Sequence, residues 1–193
     1  MSLHTLSTTN ADPSVTEYPA AVPISAHERP VLRPPRVGDA AQIWRVAKNS
    51  RVLDTNSSYA YLLWCRDFAS TSVVAELGGR VVGFVIGYLR PQAPETVFVW
   101  QVAVEHEQRG RGIGAALLDT LLDTAADAGV SALETTIAPD NPASVAMFAA
   151  VARRRSAHMT KQPLFEPDHF PDSHAAEDLY LIAPTARKQE VRR

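Results

Sequence analysis

Residues 71–105 contain three long β-rich runs with little to interrupt them, and no other stretch limits the fold as strongly. "TSVVAELGGRVVGFVIGYLRP" reads as a hairpin, because two β-branched and aromatic runs flank Gly78-Gly79, a pair suited to the positive φ angles of a tight turn. "ETVFVWQVAVE" is nearly apolar throughout, which places it as a strand at the centre of a sheet. Helical periodicity surrounds this block. A helix from about Asp39 carries Ile43, Val46 and Ala47 on one face, and a second carries Tyr61, Leu62, Cys65 and Phe68. A third runs from about Gly112 to Ala128 and stops at Gly129. A fourth, "DNPASVAMFAAVARR", has Asp140 or Asn141 at its cap and Pro142 in its first turn. With a short strand at Val31, another at "SALETTI" and a last near "EDLYLI", the order is strand, two helices, three strands, helix, strand, helix, strand.

No repeat or internal boundary divides this pattern, so 31–183 reads as one α/β domain. Residues 1–30, rich in Ser, Thr, Pro and Ala, read as a disordered extension, and 184–193 as a disordered tail. A net charge of −2 gives no reason to expect a nucleic-acid partner. No apolar run is long enough for a membrane span, and the N-terminus lacks the apolar segment of a secretory signal. The single cysteine, Cys65, excludes an intrachain disulfide and fits a reducing, cytoplasmic setting; its place on an apolar helix face reads as core. His158, His169 and His174 show no metal-ligand spacing, and no metal is expected.

The stretch "QRGRGIGAALLDTLL" (108–122) sets Gly110, Gly112 and Gly114 with Arg109 and Arg111 before a helix. Free N–H groups and the helix dipole at such a junction favour an anion. A nucleoside-triphosphate loop would end in Gly-Lys-Ser or Gly-Lys-Thr, whereas Gly112 is followed by Ile113. A dinucleotide loop would follow the first strand with Gly-x-Gly-x-x-Gly, which this loop does not. A pyrophosphate held by successive amides remains, beside the plainer alternative of a tight turn with surface arginines. The pattern at Arg109, Gly112 and Gly114 resembles the acetyl-CoA loop of the GNAT acetyltransferase superfamily. That resemblance implies a GNAT acyl-CoA N-acyltransferase fold: a mixed, mostly antiparallel central sheet flanked by helices on both faces. It also implies cofactor contacts from Val102, Val104, Arg109, Gly110, Arg111, Gly112, Gly114, Asn141 and Ser144, with acetyl-CoA as co-substrate.

"LDTNSSYAYLLWCRDFASTSVVAE", "FVWQVAV" and "ETTIAPDN" resemble, more closely, the L-2,4-diaminobutyrate acetyltransferase family of ectoine synthesis, over roughly Arg33 to Ile182. The implied reaction moves an acetyl group from acetyl-CoA to the γ-amino group of L-2,4-diaminobutyrate, and the family implies a homodimer. It points to Asp54, Tyr59 and Trp100 in the acceptor site, with Glu177 of "SHAAEDLY" as the matching acid. The acceptor's chemistry agrees, since two ammonium groups call for carboxylates such as Asp54, and Asn56 and Tyr59 add hydrogen-bond partners. Trp100 would wall the site, and the Val102 amide would stabilise the oxyanion. The proton acceptor stays open among Glu177, Asp54 and water. Many superfamily members place a tyrosine where this chain has Phe148, so no phenol stands there to protonate the leaving thiolate. Each residue also has a plainer reading: Asp54 as a helix cap, Trp100 as core, Glu177 as a solvated acid. Two alternatives remain for the whole: a GNAT enzyme acting on a polyamine or aminoglycoside, and a non-catalytic acetyl-CoA-binding regulator.

Overall fold

The computed structural model describes residues 28–172 and 174–184; the expectations for 1–30 and 184–193 fall mainly outside them. In chain order the elements are β1 (Val31–Arg33), α1 (Ala40–Ser50), α2 (Ser58–Asp67), β2 (Ser72–Leu77), β3 (Arg80–Arg90), β4 (Ala93–Val104), α3 (Ile113–Ala126), β5 (Ala132–Ile137), α4 (Pro142–Arg154), β6 (Ala157–Phe165) and β7 (Glu177–Pro184). They form a seven-stranded sheet in the order β1-β2-β3-β4-β5-β7-β6. Only the β4–β5 pair is parallel among the described residues, and the other pairs are antiparallel. The expected hairpin is present, with Gly78 and Gly79 at φ 54° and 75°. Strand β4 is the middle strand, as its apolar sequence requires.

Two apolar cores cover the two faces. On one, Leu117, Leu118 and Leu121 of α3 and Phe148 and Val151 of α4 pack on Val85, Val97, Val99 and Leu133. On the other, Ile43, Val46 and Ala47 of α1 and Tyr61, Trp64 and Cys65 of α2 pack on Val74, Phe84 and Ile86. The inward face of α2 is therefore Tyr61, Trp64 and Cys65, whereas Leu62 and Phe68, expected with them, are exposed at 41% and 38%. Arg33 ties β1 down by bridging Asp39 and Glu76.

Strand β6 is an addition to the expected order. Its nine residues include Pro163, and all but Ala157 and Met159 are exposed, so alternation marks only the start of the strand. As the edge strand, β6 is held by pairing with β7 and, at its start, by Ala157 and Met159 packing on the α3–α4 core.

Within β4 the alternation of side chains breaks at Trp100. Gln101 lies opposite Ile86 and Val99 opposite Gly87, so Trp100 is the extra residue of a β-bulge. Before it, Val97 and Val99 face the α3–α4 core; after it, Gln101 accepts a hydrogen bond from Tyr61 of α2, and Ala103 joins the α1–α2 core. Parallel pairing with β5 ends at the same point, at Val99–Thr135, where Thr135 Oγ1 donates to the Val99 carbonyl. Beyond it β4 and β5 part, and the sheet is open between Trp100–Val104 and Thr136–Ile137.

Candidate active site

Two cavities adjoin along β4 beside this opening. The first, about 430 Å³, is built around the turn between β4 and α3. Gly110 and Gly112 sit at φ 75° and 76°. A Cβ at either would meet nothing within 4 Å, so glycine is required there by backbone angle and not by crowding. Gly112 is the N-cap of α3, and its carbonyl accepts from the Ala116 N–H, which leaves the first-turn amides turned outward. Val102, Val104, Arg109, Gly110, Gly112, Gly114, Asn141 and Ser144 all line this cavity. Arg109 is anchored by bonds to the Val104 and Ser50 carbonyls. Arg111 lies outside the wall: its guanidinium donates to the Gln108 side chain and, at 2.6 Å, to the Glu28 carbonyl. Directed amides, a helix N-terminus and one held guanidinium fit a phosphorylated ligand with an extended arm.

The second cavity, about 460 Å³, lies between the α1–α2 loop, the parted strands and the segment entering β7. Asp54, Trp100, Val102 and Glu177 line it. Asp54 does not cap α2, a duty taken by Ser57, whose hydroxyl accepts from the Ala60 N–H. Its carboxylate is 89% exposed and sits 3.0 Å from His174 Nε2, a contact across 120 positions of sequence. His174 Nδ1 lies 2.7 Å from the Ala175 carbonyl, so both ring nitrogens face acceptors and the imidazolium satisfies both. The bond to the Ala175 carbonyl, with that to Asp54, holds the His174 pKa above its ordinary value, against desolvation. Phe170 stacks on the His174 ring at 4.3 Å, and Phe165 meets Phe170 edge-on. Phe165, Phe170 and His174 thereby form one side of the second cavity.

Glu177, at the start of β7, is half-buried in the wall. Burial pushes its carboxyl up, and the negative charges of Asp54 and Asp178 act in the same direction; a hydrogen bond from Thr136 and the charge of His174 oppose this. Trp100, lifted by the bulge, is 51% exposed and meets Trp64 edge-on with ring centres 5.0 Å apart. Buried Gln101 sets the α1–α2 loop on the strand: its Nε2 donates to the Asp54 carbonyl at 2.8 Å, and its Oε1 accepts from the Tyr61 hydroxyl at 3.0 Å. Tyr59, expected here, is 65% exposed and outside the wall, and Asn56 turns to hydrogen-bond Tyr61 instead. Gln101, Thr136, Phe165, Phe170 and His174 were not singled out by sequence, although the His-x-x-Glu spacing put His174 beside Glu177. Burial raises the Cys65 thiol to about 11, with the Asp39 charge adding to it, so it is not a ready nucleophile.

The cavities adjoin. Val52, Leu53, Val102, Asn141 and Ser144 line both. An acyl carrier on one side and an acceptor on the other would meet at these residues.

Sheet, parted strands and glycine turn together define an acyl-CoA-dependent transferase of the GNAT type, and residues 39–152 match the model of the acetyltransferase (GNAT) family. The chain is 66% identical to L-2,4-diaminobutyric acid acetyltransferase of Nocardia farcinica, over all of both chains. It is 54% identical to the Streptomyces coelicolor protein of the same name, over 78% of this chain and 90% of that one. Its fold matches diaminobutyrate acetyltransferase EctA from Paenibacillus lautus, solved with its substrate L-2,4-diaminobutyric acid and coenzyme A, at TM-score 0.77 and 38% identity, over 80% of this chain and 95% of that one. The chain belongs to the L-2,4-diaminobutyric acid acetyltransferase family of the GNAT acetyltransferases.

Proposed function

We propose that this chain transfers the acetyl group of acetyl-CoA to the γ-amino group of L-2,4-diaminobutyrate, the acetylation step of ectoine synthesis. One observation carries the reading: a cavity walled by two carboxylates, Asp54 and Glu177, opens at the parted strands onto a cavity built on a glycine turn. Acetyl-CoA supplies the thioester. The glycine-turn amides and Arg109 hold its phosphates, and the edge of β4 from Val102 to Val104 receives its arm.

In the other cavity Asp54 anchors an ammonium group, and Trp100 bounds the site. Glu177 accepts the proton that the reacting amine must lose; its raised pKa brings it closer to the working pH of a base than a solvated glutamate. The amine nitrogen attacks the carbonyl carbon, the C–S bond breaks with its electron pair passing to sulfur, and the Val102 N–H stabilises the intervening oxyanion. Tyr59 and Asn56 then serve the α1–α2 loop rather than the ligand. A single catalytic domain over 31–183 and a cytoplasmic homodimer complete the proposal; the demand for acetyl-CoA supports that compartment, and light scattering tests the dimer.

The deciding assay offers acetyl-CoA with 2,4-diaminobutyrate, ornithine, lysine, 2,3-diaminopropionate, putrescine and an aminoglycoside, with NMR on the product. Preference for diaminobutyrate with the acetyl group on the γ-nitrogen is the expected result. Preference for putrescine or the aminoglycoside overturns the acceptor assignment, and no CoA release with any amine overturns catalysis itself.

A further inference from the structure

A thioester held in one cavity and attacked from the other must lie at their common wall. Of the five residues there, Val52, Leu53 and Val102 offer no polar side-chain atom. Asn141 has its Oδ1 occupied, since that oxygen accepts from the Ser144 N–H as the N-cap of α4, which leaves its Nδ2 amide as a donor beside the wall. The one hydroxyl among the five is that of Ser144. It is half-buried in the wall, and among the described residues it has no hydrogen-bond partner within the protein. It stands in the first turn of a 13-residue helix, whose N-terminal dipole favours negative charge at the same spot. The aromatic ring one turn on, Phe148, is buried and carries no proton.

We propose that the Ser144 hydroxyl is a catalytic group that donates a hydrogen bond to the departing sulfur of acetyl-CoA. The assignment rests on the acetyl-transfer reading above. As the C–S bond breaks and its electron pair goes to sulfur, negative charge develops at the common wall. Ser144 Oγ–H points its dipole at that charge and keeps its own proton. The amine proton goes to Glu177, and the released thiolate takes its proton from water. A hydrogen bond to a full charge is worth more than one to a neutral thioester, so it acts on the transition state and the product rather than on the bound substrate.

The test uses Ser144→Ala and Ser144→Thr. Alanine keeps the Ser144 N–H that Asn141 caps, so α4 retains its start. Single-turnover acetyl transfer in Ser144→Ala is expected to fall about 10- to 100-fold, with Ser144→Thr recovering most of the rate. Binding supplies a readout free of the acceptor. At a pH of about 9.5, above the ordinary thiol value near 8.5, Ser144→Ala should bind CoA about tenfold more weakly than the wild type. Desulfo-CoA should bind both proteins equally. A single-turnover rate within about twofold of wild type, or equal weakening for CoA and desulfo-CoA, overturns the assignment. If the wild type ignores diaminobutyrate, the acceptor reading fails, while the comparison of CoA with desulfo-CoA still decides the role of Ser144.

Discussion

Gln101→Leu separates the acceptor site from the cofactor site without touching either cavity's charged groups. Gln101 is 5% exposed and joins two elements: its Oε1 accepts from Tyr61, which is fully buried, and its Nε2 donates to the Asp54 carbonyl. Leucine fills similar volume and removes both bonds. The Asp54 carbonyl lies at the cavity and regains water at little cost, whereas the Tyr61 hydroxyl keeps only its contact with Asn56. A buried group left short of a partner costs about 1–3 kcal/mol. At about 2–4 °C per kcal/mol for a chain of this size, Tm falls by about 2–12 °C. With its tether cut, the loop that presents Asp54 loosens, so KM for diaminobutyrate rises while that for acetyl-CoA holds.

Differential scanning fluorimetry and steady-state kinetics measure the two effects. A cycle with Tyr61→Phe isolates the shared bond: the double variant should be more stable than the sum of the single losses predicts, by about 1 kcal/mol. Strict additivity, or an unchanged Tm with an unchanged KM for diaminobutyrate, would refute the tether. Equal rises in both KM values would show a general loss of folding instead.

Asp54→Asn should raise KM for diaminobutyrate by about tenfold or more, in line with loss of a charge-assisted bond, and leave acetyl-CoA affinity near wild type; equal losses in calorimetric titrations of the two ligands refute an anchoring role. Gly112→Ala forces a side chain onto φ 76° at a strain of about 1–2 kcal/mol, so acetyl-CoA binding should weaken with diaminobutyrate binding preserved. Burial raises the Glu177 pKa in the folded chain, so the folded state holds that proton to higher pH than the unfolded state does. Its contribution is most favourable at low pH and is lost as pH rises from the ordinary glutamate range through the raised folded value. Thermal melts of Glu177→Gln should therefore match wild type at low pH and exceed it at neutral pH, with acetyl transfer strongly reduced; a wild type that gains on the variant as pH rises contradicts this.

What the sequence disclosed is what local chemistry encodes. Gly78-Gly79 announced a hairpin because both residues need positive φ, and Pro142 after two possible caps, Asp140 and Asn141, announced a helix start, with Asn141 taking the cap. The glycine turn was legible for the same reason. Strand β6 was not, since only Ala157 and Met159 of its nine residues pack on the core, and the exposed remainder is fixed by its partner β7. The residues of α2 show a subtler failure, where periodicity admitted Leu62 and Phe68 to the inner face but packing against β3 selected Trp64.

The site itself depends on a break that the local sequence conceals. "VFVWQVAV" is apolar at every position but Gln101 and marks no break, yet the bulge at Trp100 turns the residues after it to the opposite face. That single insertion brings Gln101 to Tyr61 and Asp54, and it coincides with the end of pairing to β5 at Thr135. Because the bulge arises from register with β3, no window along β4 alone contains the information. The same holds for His174, which meets Asp54 only after β7 has crossed back beside β5. Motifs thus located the carboxylates and the glycine turn separately, and the register of the sheet set their two cavities side by side. A substitution that removed the bulge and restored regular pairing would return Gln101 and Ala103 to the α3–α4 face. It would unseat the Asp54 loop with every residue of the acceptor motif still in place.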